Sequence, residues 1–163
     1  MGDTGRLAVA VALAALAVST AACGGTSQLL GTSTTSNKQA TAAYIGQLNA
    51  AQARLANAEK RIPARPRTPA ALSRSIALLA VAIHTLAGDL AAIHPPTAVA
   101  TEHARLVSIV RNYAVSLTRT ARTAASPGGE LPATRGLVSA TSATSQAFTS
   151  TVAKINTTLQ RET

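Results

Sequence analysis

The chain is predicted to be all-α, with residues 38–163 forming a four-helix up-down-up-down antiparallel bundle. Three observations lead there. Apolar residues recur in four separate stripes at alternating steps of three and four, which places them on one face of a helix. Prolines and glycines divide those stripes into segments of similar length. The chain is 47% hydrophobic but only 2% aromatic, so a core must be built from Ala, Leu, Ile and Val, side chains that suit close-packed helices. No period-two alternation and no long internal repeat competes, and 163 residues suit one domain.

The first helix is expected over approximately 38–62, carried by Tyr44, Leu48, Ala51, Leu55, Ala58 and Ile62 and ended by Pro63. After the connection "PARPRTP", Thr68 is placed to cap a second helix with Pro69 at its first position. That helix, 69–93, has an unbroken heptad seam of Leu72, Ile76, Leu79, Ile83, Leu86, Leu90 and Ile93, and stops at His94-Pro95-Pro96. The third, 97–125, follows Val99, His103, Leu106, Val110, Tyr113, Leu117, Thr120 and Ala124 to the break at "SPGGELP". The fourth, 132–161, reads Leu137, Thr141, Thr144, Phe148, Val152, Ile155 and Leu159, with two threonines on the seam. Helices of this length rise ~37 Å, and short connections make sequence neighbours antiparallel.

Ahead of the bundle, residues 1–22 have the layout of an export signal. The apolar run Leu7 to Val18 is far shorter than the ~20 residues of a membrane-spanning helix, and the small residues Ser19 to Ala22 follow it. Arg6 is the sole basic residue before the run and Asp3 offsets it. The chain's single cysteine, Cys23, comes next. Thr20-Ala21-Ala22-Cys23, followed by Gly24-Gly25, resembles the lipobox of bacterial lipoproteins, although that family most often has Leu where this chain has Thr20. The resemblance implies a diacylglycerol on the Cys23 sulfur, cleavage after Ala22, and a protein held on the extracytoplasmic face of the cell membrane. The alternative is an ordinary signal whose removal leaves a free thiol, a liability in an oxidising compartment.

Residues 24–37, "GGTSQLLGTSTTSN", are rich in Gly, Ser and Thr and are expected to form, with Cys23, a flexible tether over 23–37. As a random coil it would hold the bundle roughly 20 Å from the membrane. In actinobacterial lipoproteins such Thr/Ser runs sometimes carry O-linked sugars; Thr32 to Ser36 is either such a site or a bare linker. The stretch "LAAIHPPTAVATEHARLV" also resembles segments of uncharacterised helical lipoproteins of actinobacteria, which implies no activity.

Lys and Arg outnumber Asp and Glu by 15 to 6. In the expected bundle Lys60, Arg61, Arg65, Arg67, Arg74, Arg119, Arg122 and Arg135 gather at the end away from the tether, opposed only by Glu59 and Glu130. They either meet an anionic envelope polymer or an acidic protein, or complement helix dipoles and solvate loops. Nucleic acid is excluded as a partner by the export signal and the lack of aromatic stacking platforms. No phosphate loop, Gly-x-Ser-x-Gly motif or suitably spaced carboxylate pair argues for catalysis. Metal binding is equally unsupported: the Glu-x-x-His motifs of di-iron bundles are missing, and no cofactor is implied. His103, the one imidazole on a core seam, lies at the expected level of Tyr44, so the two are read as a buried polar pair; a ligand-binding or pH-sensing role for His103 is the alternative. His94 closes a helix C-terminus and His84 flanks a seam. The expected function is that of a non-catalytic, membrane-anchored binding or structural protein of the envelope, the alternative being a carrier of an apolar small ligand within the bundle.

Overall fold

The computed structural model describes residues 32–63 and 65–162, which form a helical bundle of four helices with no strand among them. The elements are α1 (Thr32–Glu59), α2 (Pro69–Ala91), a single 3-10 turn (Thr97–Val99), α3 (Ala100–Ala125) and α4 (Glu130–Glu162). The expected signal segment, the motif Thr20, Ala21, Ala22 with Cys23, and the first part of the expected tether lie outside the described residues.

Helix α1 begins at Thr32, so residues 32–37, expected to belong to the flexible tether, are helical. Ser, Thr and Asn are only weakly unfavourable in a helix, and extending one already nucleated adds a hydrogen bond per residue without the nucleation cost. Composition alone pointed to coil because it ignores the helix next door. The other end tapers: the amides of Lys60, Arg61 and Ile62 bond back to the carbonyls of Ala56, Ala58 and Glu59, and Pro63 terminates the run.

Helix α2 starts as its sequence dictates. The Thr68 hydroxyl accepts the Ala71 amide at 3.1 Å, and Pro69 occupies the first turn, where its missing N–H has no intrahelical partner to lose. Its C-terminal turn continues through Ala92 and Ile93, whose amides reach the carbonyls of Gly88 and Leu90. Helix α4 starts two residues before the expected Pro132, because a proline within the first turn costs the helix no bond. The turn before it depends on two glycines. Gly128 takes the left-handed φ of 70°, and a Cβ on Gly129 would lie 1.8 Å from the Thr123 carbonyl oxygen.

The core follows the stripes closely on three helices. Tyr44, Leu48, Ala51 and Leu55 of α1 are buried, as are Ile76, Leu79, Ile83, Leu86 and Leu90 of α2. On α3 and its 3-10 turn every seam position from Val99 to Ala124 is buried, His103 and Thr120 included. Helices α2 and α3 make the closest contact, and Ala80, Ala87, Ala114 and Ala121 are the extra buried positions that let two backbones approach. Leu117 is fully buried, and cutting it to Ala would cost about 2–5 kcal/mol. On α4 Leu137, Ile155 and Leu159 are buried as expected, but one seam position shifts by a residue. Thr151 is buried where Val152 was expected, and its hydroxyl is satisfied by the Ala147 carbonyl at 2.8 Å, which is why a threonine can take the place. Thr141, Thr144 and Phe148 are half-buried.

Three hydrogen bonds tie α3 to α2 and α4. Ser73, near the start of α2, donates to the Ala121 carbonyl near the end of α3 at 2.8 Å. At the other end of the same pair, His103 donates to the Leu90 carbonyl at 2.9 Å. Tyr113 of α3 and Thr141 of α4 meet at 2.9 Å. By length and composition α2 is apolar enough to cross a membrane; here its buried stripe packs on α3.

Candidate functional site

The basic residues are distributed over the α1–α2 connection, the start of α2, the end of α3 and the start of α4, and contacts between those segments bring them to one end of the bundle. The Ser75 hydroxyl lies 3.4 Å from the Pro63 carbonyl, holding the connection against α2 beside Arg74. Ser73 reaches Ala121, next to Arg122. Gly136, beside Arg135, faces Thr120, beside Arg119, across 3.7 Å from its would-be Cβ to the threonine hydroxyl. Lys60, Arg61, Arg65, Arg67, Arg74, Arg119, Arg122 and Arg135 are all exposed. The one ion pair among the described residues, Arg54 with Asp89 at 2.8 Å, involves none of them.

Of the two acidic residues near this end, Glu130 is exposed in the first turn of α4, where a negative charge complements the helix dipole. Glu59 turns inward. Its Oε1 atom is buried without a hydrogen-bond partner among the described residues, and burial raises its carboxyl above the ordinary range. Tyr113 is raised as well, mostly by burial and in small part by the Glu59 charge, against the opposing effect of its bond to Thr141.

At the other end Tyr44 and His103 are brought together. The Tyr44 hydroxyl lies 3.0 Å from His103 Nδ1, with the rings edge to face at a centroid separation of 5.6 Å. A carbonyl can only accept, so the 2.9 Å contact with Leu90 requires the proton on Nε2, and neutral Nδ1 then accepts from the tyrosine. Both side chains are buried with their polar atoms engaged, and desolvation pushes the Tyr44 hydroxyl up to about 12. This arrangement fixes α1 to the junction of α2 and α3.

One feature escaped the sequence. A groove of about 240 Å³ runs along the outside of α1 and α2, walled by Leu55, Ala58 and Ile62 on one side and by Leu78, Val81 and Leu86 on the other. Leu78 and Val81 are 49% and 65% exposed. Their signal was present, since both are apolar residues off the α2 heptad seam. Arg54 with Asp89 bounds the groove, as does Arg61, which also belongs to the basic end. No group of three His, Cys, Asp or Glu side chains is placed to hold a metal among the described residues. No protein-family model, curated protein or solved structure matches the chain.

Proposed function

We propose that this chain is a lipid-anchored extracytoplasmic protein of a bacterial cell membrane, cleaved after Ala22 and acylated on Cys23, that acts without catalysis by presenting its basic end to an anionic partner. The observation that carries the proposal is the order of a short apolar run, Thr20-Ala21-Ala22 and the chain's one cysteine. In this arrangement the four helices run alternately up and down as an antiparallel bundle. Support comes from Ser73 meeting Ala121 and Leu90 meeting His103 at opposite ends of α2 and α3, and from Tyr113 meeting Thr141.

Residues 24–31 separate Cys23 from Thr32, and that much chain reaches at most about 28 Å. The 28 residues of α1 then add about 42 Å of helix, so with α1 directed away from the membrane the basic end stands well beyond the headgroups beside its own anchor. In that orientation, at physiological ionic strength where screening acts over about 8 Å, those headgroups lie out of its reach. Eight exposed cations without an ion-pair partner among the described residues favour a separate anionic partner, an envelope polymer or an acidic protein.

Intact mass of the mature protein from its native membrane tests the anchor. A diacylated Cys23 at the N-terminus is the expected result, and a free thiol or an uncleaved signal refutes it. Binding of the lipidated chain to poly-glutamate, compared with a variant in which Arg65, Arg67, Arg119 and Arg122 are Gln, tests the basic end. Equal binding by the two proteins refutes it.

A further inference from the structure

We infer that the groove between α1 and α2 is a docking site for an amphipathic helix with acidic residues beside its apolar stripe. The inference rests on the reading of the basic end as the partner-facing surface and names the kind of partner. The groove is walled by Arg54 and Ala58 of α1 with Ile62 of the turn that follows it, and by a helical stripe of positions 78, 82, 85 and 89 at steps of three and four on α2. From Leu78 to Asp89 the α2 wall extends about 16 Å, roughly three turns. Two neighbouring helices that leave such a trough present the geometry into which the side-chain ridge of another helix packs.

The size of the groove points the same way. At about 240 Å³ it falls below the ~300–1,000 Å³ of pockets that enclose a small molecule, and it is half open to solvent. A few apolar side chains carried on a helix fill such a trough while the helix itself covers the opening. Leu78 and Val81, half or more exposed in the free protein, are the surfaces that gain most from being covered.

Charge selects the character of the helix. Asp89 is occupied by Arg54, which leaves Arg61 on the rim without an ion-pair partner among the described residues, next to Lys60 and near Arg65 in the chain. A helix with Glu or Asp flanking its apolar residues meets both surfaces at once. A polyanion without apolar groups reaches the cations but has nothing to place against Leu78 and Val81, so the groove distinguishes the two classes of partner.

The test uses the full lipidated chain in nanodiscs of neutral lipid. Two probes are titrated: a stapled helical peptide with Leu at positions i, i+3 and i+7 and Glu between them, and poly-glutamate of equal charge. The peptide is expected to bind about tenfold tighter than poly-glutamate, and L78S/V81S to abolish that advantage with helix content and poly-glutamate binding unchanged. Peptide binding no tighter than that of poly-glutamate, or unaffected by L78S/V81S, overturns the inference. If poly-glutamate still binds and is lost in the four-arginine variant, the groove alone has failed. If neither probe binds, the basic end has failed with it.

Discussion

The Tyr44–His103 contact is the most exacting place to test how this bundle is closed. Tyr44→Phe leaves His103 Nδ1 buried without a donor, and an orphaned buried polar atom costs about 1–3 kcal/mol. His103→Leu strands the Tyr44 hydroxyl at a similar cost, while the Leu90 carbonyl keeps the Ile93 amide at 3.1 Å. The double variant removes both partners, so its loss is expected to fall short of the sum of the singles by about 1–2 kcal/mol. Urea unfolding followed by circular dichroism measures all three. Additivity within ~0.5 kcal/mol refutes the reasoning, because it means that the two groups do not depend on each other. High pH gives an independent reading. The folded state holds the Tyr44 proton more tightly than the unfolded one, so its contribution is complete below the unfolded value of 10.0 and is lost as pH rises through about 12. The ceiling on that loss is about 3 kcal/mol, and Tyr44→Phe lacks it.

Gly129→Ala forces a methyl group into the Thr123 carbonyl, so the α3–α4 turn must open; a thermal melt is expected to show a loss of several kcal/mol, and one unchanged within ~0.5 kcal/mol refutes the close approach. Glu59→Gln keeps the shape while removing a charge that burial disfavours. It is expected to stabilise the fold at neutral pH by less than about 1 kcal/mol after solvent screening, and the gain should vanish at pH values where the wild-type carboxyl is already protonated. Asp89→Asn breaks an ion pair whose side chains are 61% and 26% exposed, and its effect on urea unfolding should stay under about 1 kcal/mol.

How much the sequence discloses differs from helix to helix, for physical reasons. On α2 and α3 the seam residues are large, apolar and regular, and nearly every seam position is buried, whereas Ser75, Val107 and the alanines at 80, 87, 114 and 121 are buried off the seam. The Thr68 cap was legible because hydroxyl, proline and apolar stripe agree. On α4 the apolar signal fades, and whether Thr151 or Val152 is buried turns on a bond from the threonine hydroxyl to its own helix, which no hydrophobicity pattern records. The early start of α1 was hidden for the opposite reason: weak helix formers follow a strong neighbour. The grouping of cations at one end could be inferred from topology, since it needs only the order of the helices. The inward turn of Glu59 and the groove beside Leu78 needed the packing of particular side chains.

The Tyr44–His103 bond also bears on the order in which the protein assembles. Helices α2 and α3 are joined by a short connection and can pair early, since closing a short loop costs little entropy. Helix α1 is synthesised first, yet the partner of its buried tyrosine lies 59 residues further along the chain. Until α3 has been made, the apolar stripe of α1 has no complete seat. A nascent chain built this way stays open until residues 100–125 have been made. The same contact that locks the finished bundle thus delays its closure.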